Sequence, residues 1–544
     1  MKFGKAIGFF LWSIASIGCA LVAGVVIGER RAYKAPNKID TILSLISADY
    51  VDSISVPDMT ERAMYNIVSE LDPHSTYIAA GELQQANEEM NGQFGGIGIT
   101  YFVYKDTIVV ATVTQGGPAS KAGIIPGDRL LSINGKPLTA EDRTEESTLQ
   151  TLRGDIGTTV QLGILHKDAP SIDNYIIRRD YIPQTTVRAA FQIAEGIGYI
   201  KIWDKFSHST YNEFMQAAAE LQAEGCQAFI LDLRMNGGGA FEAAYQIVNE
   251  FLPAGKLIVS AKGRIFSPFV SVSDGTGQFA NNQLVVLVDQ MSASASEIVA
   301  GAIQDNDRGL IIGRLTYGKG LVQRQIDLAD GSAVRLTVAR YYTPSGRNIQ
   351  RPYELGHSEE YTQGWVDQFN WDNSADDDVK GDKSIAYKTA HNRTVYGSGG
   401  IMPDIFVPLD TAHRMSYYIS LEENDVFNRF AYEYIEQNRE LLSQFTHYPD
   451  LLDYLKAQQL LYKVVMYAED IGIRRRSLQI NRCYKEILQT TYAHILLNIY
   501  GEQAFYPVYL YGDPMIAKGI RAIQKELAYP DAVIAMQYTA ISGN

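Results

Sequence analysis

Apolar residues are concentrated most strongly near the start of the chain. The run Ala6–Gly28 contains 23 residues and no charged side chain. As a helix with a rise of about 1.5 Å per residue it would extend roughly 35 Å, enough to cross the hydrocarbon core of a bilayer. We expect residues 1–28 to form an uncleaved signal anchor, because the run is long for a signal peptide and no clear small-x-small cleavage site follows it.

After this run the pattern changes character three times, which predicts a multidomain α/β and α+β protein. Residues 29–90 carry apolar positions at helical spacing, and residues 91–170 show short strands separated by glycine turns. Residues 171–409 include strands and helices that alternate between residues 197 and 350, which predicts an α/β core. Residues 410–544 are tyrosine-rich and mostly helical in pattern, so we expect a helical C-terminal extension.

Composition excludes some classes of function. The 62 acidic and 48 basic residues give a formal net charge of −14, which argues against a protein that mainly grips nucleic acid, because phosphates require a basic face. The cysteines Cys19, Cys226 and Cys483 are too few and too scattered for a disulfide framework or a zinc site. The sequence implies no metal and no cofactor.

A serine-rich turn joins a predicted strand to a predicted helix within Leu287–Gly301. Ser294 could present its hydroxyl at the helix N-terminus, where free amides stabilise developing negative charge. Ser294 and Glu297 also satisfy the capping-box pattern, which stabilises many helices that have no catalytic role. From this segment alone, the capping interpretation is favoured over the nucleophile.

A serine nucleophile needs a base, and the sequence offers a lysine. None of the eight histidines lies in a recognisable triad context. Lys319 follows Ser294 by 25 residues, lies between two glycines, and would act as a base if burial lowers its pKa. A solvated loop lysine is the usual alternative. The spacing of Gly313 and Lys319 matches a phosphate-binding loop, but Gly320 stands where a serine or threonine is required, which argues against nucleotide hydrolysis.

The motifs within residues 91–170 resemble those of a PDZ domain. A glycine-rich loop precedes the sequences GGPASKAG and GDRLLSING and a predicted helix near Ser147–Leu152. In such a domain the loop amides capture a terminal carboxylate while the bound peptide adds a strand to the sheet. The expected tail-binding residues are Gly96, Ile97, Gly98 and Ile99.

A wider set of motifs, spread in order over residues 36–410, resembles the carboxy-terminal processing proteases, the tail-specific Ser–Lys peptidases of family S41. The motifs are LDPHS (71–75), LDLRMNGGG (231–239), SASASEI (292–298), GKGLVQ (318–323), YTPSGRNIQ (342–350) and GGIMPD (399–404). As in that family, the PDZ-like motifs precede the catalytic ones. The resemblance implies a crotonase-like protease core.

The resemblance also implies roles for individual residues. It assigns the nucleophile to Ser294, the general base to Lys319 and the residue that supports the lysine amine to Gln323. It assigns the oxyanion hole to the backbone amides of Ala295 and Gly238. The neighbouring Gly239 remains an alternative to Gly238. The family commonly has the pattern Asn-x-Gly-Gly, whereas here Asn236 is followed by three glycines, so the motif does not show which glycine is the donor.

Three further positions match family motifs with weaker functional implications. Arg153 matches an arginine that relays peptide binding from the PDZ domain to the active site in some relatives, although a surface salt bridge is an equal alternative. His74 matches a structural turn, and Arg347 matches a segment near the core. We expect structural roles for His74 and Arg347.

Together these features predict a membrane-anchored serine endopeptidase that acts outside the cytoplasm, facing the periplasm of a Gram-negative-type bacterial envelope. Its PDZ domain would bind the C-terminal tails of envelope proteins, and its Ser–Lys dyad would cleave peptide bonds through an acyl-enzyme. The extension at residues 410–544 would assemble subunits into a homo-oligomer or recruit an adaptor. The alternative is a catalytically silent PDZ scaffold that binds protein C-termini at the membrane. A histidine-triad PDZ protease is a weaker rival, because its nucleophile motif is missing.

Overall fold

A computed structural model of the chain describes residues 37–104, 107–138, 145–166, 169–371, 385–397, 399–409 and 415–525. The predicted anchor at residues 1–28 lies outside these residues. Among the residues that are described, no helix has both the length and the apolar character that crossing a membrane requires. The chain divides into two compact units, one ending at Val68 and the other beginning at Ser69.

The described part of the first unit contains α1 (Lys38–Asp49) and all but the last residue of α2 (Val56–Ser69). The proline at position 57 predicts a turn over residues 56–60, but α2 already begins at Val56. Proline is tolerated in the first turn of a helix because its missing N–H would have no partner within the helix there.

The second unit opens with β1 (Thr76–Ile78), α3 (Ala80–Asn91) and β2 (Gln93–Gly96). The PDZ-like region follows, with β3 (Ile99–Tyr104), β4 (Thr107–Val113), α4 (Pro118–Ala122), β5 (Arg129–Ile133), β6 (Lys136–Pro137), α5 (Glu145–Leu152), β7 (Thr159–Leu165) and β8 (Asp173–Arg178). Its antiparallel sheet has the order β3-β4-β5-β7-β8, with β6 paired to β5. The sheet therefore extends past the predicted boundary at residue 170, and β3 is an edge strand among the described residues.

The α/β core begins after β9 (Asp180–Pro183), which pairs with β2. Its elements are β10 (Val187–Ala194), β11 (Ile197–Ile202), β12 (Asp204–Phe206), α6 (Thr210–Ala223), β13 (Ala228–Asp232), β14 (Asn236–Gly239), α7 (Phe241–Phe251), β15 (Leu257–Lys262), β16 (Phe269–Val272), β17 (Gln283–Val288), α8 (Ala295–Asp305), β18 (Leu310–Gly313), β19 (Leu321–Asp327), β20 (Ala333–Tyr342), α9 (Ser358–Trp371), β21 (Ala386–Lys388), β22 (Thr394–Tyr396) and β23 (Ile405–Phe406). The pattern predicts strands at 197–202, 228–233, 284–289 and 310–312 and helices at 209–224, 240–252 and 294–304, and all of these are confirmed to within one residue at each end. The strands β12, β14, β15 and β16, which lie among them, are not predicted.

Two sheets position the core. The central sheet has the order β10-β11-β13-β17-β18-β23 and is parallel apart from β10. The second sheet has the order β1-β20-β15-β16, with β19 on the free side of β20. Its strand β1 comes from residues 29–90, a region for which the sequence predicts only helices. Phe214, Ile247 and Val299, from α6, α7 and α8, are buried in the hydrophobic cluster that also contains central-sheet residues.

The C-terminal region is helical, as expected. Its helices are α10 (Ser416–Glu423), α11 (Val426–Leu442), α12 (Tyr448–Lys456), α13 (Leu460–Asp470), α14 (Ser477–Tyr500), α15 (Glu502–Tyr509) and α16 (Pro514–Ile523). Most of them share one hydrophobic cluster of their own. Helix α16 instead packs on the central sheet, where Met515 and Ile516 join the cluster that contains Ile230 and Val285. Helix α16 of the extension therefore shares a hydrophobic cluster with the core.

Candidate active site

Ser294 lies in the turn between β17 and α8. Its backbone has φ 53° and ψ −109°, in the left-handed region that is strained for a residue with a side chain. The neighbouring Ser292 and Ser296 are buried, and their hydroxyls donate hydrogen bonds to backbone carbonyl oxygens. Ser294 is partly exposed. Of the three serines in this turn, it is the one that a substrate can reach.

Glu297, in the first turn of α8, joins the serine turn to the lysine loop. Its Oε2 accepts hydrogen bonds from the amides of both Ser294, at 2.9 Å, and Lys319, at 2.8 Å. Its Oε1 accepts from the Gly318 amide at 2.8 Å and from the Thr316 hydroxyl at 2.6 Å. Burial raises the pKa of Glu297, although these hydrogen bonds oppose the shift. The carboxylate therefore completes its half of the predicted capping box and also fixes the lysine loop, a second role that the sequence motif does not reveal.

Lys319 points its amine at a glutamine. Its Nζ donates a hydrogen bond to Oε1 of Gln323 at 2.8 Å, and Nε2 of Gln323 donates to the carbonyl oxygen of His74. Burial lowers the pKa of Lys319, and the positive charge of Arg335 lowers it further. The lysine is thus oriented by Gln323 and loses its proton more readily than an exposed lysine does.

Tyr341, at the end of β20, connects the serine and lysine segments a second time. Its hydroxyl lies 3.0 Å from the carbonyl oxygen of Ser294 and also donates a hydrogen bond to the carbonyl oxygen of Lys319. Burial raises the pKa of this phenol, so the hydroxyl keeps the proton that it donates. No motif in the sequence includes Tyr341, and its position directly before the YTPSGRNIQ motif is the only local signal for it.

The expected oxyanion-hole residues lie beside the serine. A Cβ atom added to Gly238 would lie 2.6 Å from Cβ of Ser294 and 2.9 Å from the Ala295 nitrogen. The Ala295 amide donates no hydrogen bond to another described residue. The Gly238 amide donates to Oδ1 of Asn236 at 3.0 Å, so it would have to exchange this partner in order to bind an oxyanion.

Gly239, the alternative donor, faces a different neighbour. A Cβ atom added to it would lie 2.2 Å from the carbonyl oxygen of Phe206, because β14 pairs with β12 at this point. Gly238 is therefore the glycine in contact with the serine, and Gly239 is the one in contact with β12.

The four expected tail-binding residues form the turn that leads into the edge strand of the PDZ-like sheet. Gly96 ends β2, and Ile99 begins β3. Between them, the Ile97 side chain is buried in the core of this region, and Gly98 adopts φ +78°. A glycine turn in front of an edge strand is the arrangement that peptide binding by strand addition requires.

Arg153 lies at the end of α5, where its guanidinium stacks on the Phe94 ring with 4.3 Å between Cζ and the ring centroid. Nearby, Glu89 forms an ion pair with Lys205 at 2.8 Å. Burial would raise the pKa of Glu89, but the hydrogen bond and charge of Lys205, a hydrogen bond from Gln85 and, least, the charge of Arg153 together lower it. Lys205 lies in β12, the strand that pairs with β14. The charge of Arg153 therefore acts on the ion-pair partner of a residue in β12, the strand that contacts Gly239 and pairs with the strand carrying Gly238.

His74 and Arg347 occupy structural positions. The His74 amide donates to the Asp72 carboxylate within the turn, and the ring lies 3.1 Å from the Tyr361 hydroxyl. Burial lowers the pKa of His74 to about 4, so the ring is neutral near pH 7. Arg347 is fully buried and forms a 2.7 Å ion pair with Asp305. The described part of the chain contains no group of three or more His, Cys, Asp or Glu side chains arranged to hold a metal ion.

Comparisons with known proteins agree with the motifs. The profile of peptidase family S41 matches residues 196–355, that of a PDZ domain matches residues 95–171, and that of a family of unknown function matches residues 417–501. The carboxy-terminal-processing protease of Bartonella bacilliformis is 33% identical over 330 residues, which cover 59% of this chain and 74% of that protein. The carboxy-terminal processing protease CtpA of Bacillus subtilis is 32% identical over 330 residues, covering 60% of this chain and 70% of that protein.

Among solved structures, the photosystem II D1 C-terminal processing protease is 27% identical. The match covers 57% of this chain and 88% of that chain with a TM-score of 0.33. The sequence relationships carry the assignment on their own. The chain belongs to the carboxy-terminal-processing protease family, the S41 serine-type peptidases, and contains a PDZ domain.

Proposed function

We propose that this chain is an endopeptidase that cleaves peptide bonds with a Ser294–Lys319 dyad. The observation that carries the proposal is the single Glu297 oxygen that accepts the backbone amides of both residues. Two amides bound to one atom hold their residues close together, although 25 positions separate them in sequence. The lowered pKa of Lys319 supports the second requirement, a base that gives up its proton more readily than an exposed lysine does.

The reaction follows the chemistry of acyl transfer. The neutral amine of Lys319 takes the proton of the Ser294 hydroxyl as Oγ attacks the scissile carbonyl carbon. The amides of Ala295 and Gly238 stabilise the negative oxygen of the tetrahedral intermediate. Lys319 returns the proton to the leaving amine, which departs and leaves an acyl-enzyme. Lys319 then deprotonates the water that hydrolyses the ester.

Substrate selection is proposed to rest on the tail of the target protein. The turn Gly96–Ile99 and the edge strand β3 offer backbone groups for a terminal carboxylate and an added strand. The link from Arg153 through Glu89 and Lys205 to β12 offers a route by which an occupied PDZ domain could act on the oxyanion hole. We propose that the PDZ domain first binds an unstructured C-terminal tail of the substrate and that the dyad then cleaves a peptide bond in that substrate.

Location and assembly are also part of the proposal. The uncharged run Ala6–Gly28 supports an anchor in the cytoplasmic membrane, with the protease acting on envelope proteins on the periplasmic side. Residues 410–544 are proposed to bind a second copy of the chain or an adaptor through helical surfaces that do not pack on the protease core.

Cleavage of an unstructured protein tests the dyad. The wild-type chain should cleave it, and Ser294→Ala and Lys319→Ala should each lower kcat by about four to six orders of magnitude while tail binding persists. Ser443→Ala and Lys256→Ala, which change the same residue types outside the site, should retain activity. A substrate whose C-terminal carboxylate is amidated should show a raised KM. Cleavage that survives both dyad substitutions would refute the assignment.

The second candidate is the silent PDZ scaffold. It would bind tails through the same turn, but it gives no reason for a buried lysine to be oriented by Gln323 beside an accessible serine. In the assay above, the scaffold predicts tail binding without cleavage by the wild-type chain.

A further inference from the structure

One carboxylate of the C-terminal extension reaches the protease core. Asp513 caps α16, and its Oδ1 accepts hydrogen bonds from the amides of Met515 at 2.8 Å and Ile516 at 3.0 Å. Its Oδ2 accepts a hydrogen bond from Nη1 of Arg234 at 2.6 Å. The two oxygens therefore have separate tasks, one within the extension and one on the core. Both side chains of this ion pair are mostly buried, with 18% of Asp513 and 13% of Arg234 exposed.

Arg234 is held from several sides. Its Nε and Nη2 donate to the carboxylate of Asp232, at the end of β13, at 2.5–3.0 Å. Its carbonyl oxygen accepts a hydrogen bond from the amine of the buried Lys201 at 2.9 Å. Within this cluster, Asp513 is the partner that comes from the C-terminal extension. The other partners belong to the central sheet itself.

The loop that follows Arg234 borders the proposed oxyanion hole. Met235 adopts φ 59°, and its amide donates to Oδ1 of Asp289 at 3.0 Å. Asn236, the next residue, is connected with Gly238 by the hydrogen bond described above, and Gly238 contacts Ser294. A shift of Arg234 would therefore displace the four residues that follow it, including Gly238, the glycine proposed to stabilise the transition state.

We propose, on the basis of the Ser–Lys mechanism above, that Asp513 is a positioning residue for the proteolytic reaction. It holds Arg234, and through Arg234 it sets the loop that carries the Gly238 amide. The C-terminal extension thereby completes the oxyanion hole of its own protease core, a role additional to any partner that the extension binds.

The extension does not need the Asp513–Arg234 ion pair in order to stay bound to the central sheet, because other contacts hold it there. The apolar contacts of Met515 and Ile516 with the central sheet hold α16 in place. A second ion pair, Arg188–Glu502 at 2.9 Å, also joins the extension to this sheet, at the edge strand β10. That pair provides a control for docking, because its loss removes an ion pair between the extension and the sheet without touching the loop after β13. Its side chains are 40% and 43% exposed, so its loss should weaken docking less than the loss of the buried Asp513 pair does.

The test compares Asp513→Asn and Asp513→Ser with Glu502→Gln in the full chain. Asparagine and serine both cap helices, so each substitution keeps the helix start and removes the carboxylate that binds Arg234. We expect kcat to fall by about tenfold, less than the loss of a complete oxyanion-hole donor, with KM unchanged. Inhibition by a peptide boronate, whose tetrahedral adduct places an oxygen in the oxyanion hole, should weaken in proportion to kcat. Glu502→Gln should keep kcat within about twofold of wild type.

Three results would overturn this role. They are an unchanged kcat in both Asp513 variants, an equal loss in Glu502→Gln, and a loss of kcat with undiminished boronate inhibition. Ser294→Ala in the same assay separates this inference from the proposed function. If Ser294→Ala is inactive and the Asp513 variants are unaffected, only the positioning role fails, whereas an active Ser294→Ala removes the mechanism on which it depends.

Discussion

Gly238 and Ser294 are in such close contact that a Cβ atom on the glycine would lie 2.6 Å from Cβ of the serine. The two residues come from different motifs, one after β13 and one before α8, and the sequence separates them by 56 positions. Their contact brings the proposed oxyanion donor to the proposed nucleophile. It also provides a sharp test, because any side chain at position 238 must displace one of them.

Gly238→Ala should lower kcat/KM by at least about a hundredfold. The added methyl would collide with Ser294 and with the Ala293 carbonyl oxygen, and φ +99° is unfavourable for alanine. Gly237→Ala is the matched control, since the nearest atom to its added Cβ is 3.8 Å away. Steady-state cleavage of one fluorogenic peptide by both variants measures the difference. Equal activity of the two variants would contradict the contact.

Glu297→Gln should reduce both stability and activity. The amide group cannot accept the four hydrogen bonds that the carboxylate receives, so at least one buried donor loses its partner, at a cost of about 1–3 kcal/mol. Chemical denaturation measures the stability change, and peptide cleavage under folded conditions measures the change in kcat. A variant as stable and active as wild type would show that Glu297 does not hold the two loops together.

The pH dependence of kcat/KM should report the proton on Lys319. The neutral amine is the active form, so activity rises as pH increases through the lysine pKa. Burial and the charge of Arg335 lower that pKa below 10.5, which moves the rise to lower pH than for an exposed lysine. Arg335→Gln removes a positive charge, so the pKa of Lys319 should increase and the rise should move to higher pH.

Arg324→Gln serves as the control for this pH experiment, because Arg324 is an exposed arginine on the neighbouring strand β19. Its profile should overlay that of the wild type. A profile that moves to lower pH in Arg335→Gln, or moves equally in both variants, would mean that Lys319 is not the titrating base.

Tyr432→Ala should loosen the PDZ domain from the helical extension. The ring packs edge-on against Phe102 and Tyr104 at centroid separations of 5.1 and 5.2 Å, and Tyr104 donates a hydrogen bond to Glu433 at 3.0 Å. Loss of a well-packed aromatic ring costs about 3–5 kcal/mol where it is fully buried. Limited proteolysis should then release the PDZ domain sooner than in Tyr462→Ala, which removes an exposed tyrosine of the same region. Identical digestion rates of the two variants would show that the Tyr432 contact does not hold the PDZ domain against the helical extension.

The sequence predicts the four inner strands of the central sheet (β11, β13, β17 and β18) and the helices between them well, because their pattern is local, whereas the outer strands β10 and β23 are not predicted. Alternation of apolar strands with amphipathic helices between residues 197 and 313 marks each element by itself. Ser294, Lys319 and Gln323 are proposed as site residues because each lies in a contiguous motif. The start of helix α2 is predicted too late, because Pro57 is as compatible with a turn as with the first turn of a helix.

The relationships that the sequence does not predict are the long-range ones. Glu297 reads as a helix cap, and nothing local indicates that its carboxylate also receives the Lys319 amide. Tyr341 bridges two segments that are distant in sequence. Asp513 lies 279 positions after Arg234, in a region outside the S41 and PDZ matches, so no motif connects them. Such contacts arise from the packing of whole elements and become visible only in the folded chain.

Labelling with a fluorophosphonate probe, followed by intact mass measurement and peptide mapping, tests the central claim most directly. The dyad predicts one adduct, located on Ser294, formed by the wild-type chain and nearly absent from a folded Lys319→Ala variant. An adduct on Ser292 or Ser296, or labelling of Ser294 that proceeds equally fast without the lysine, would contradict it.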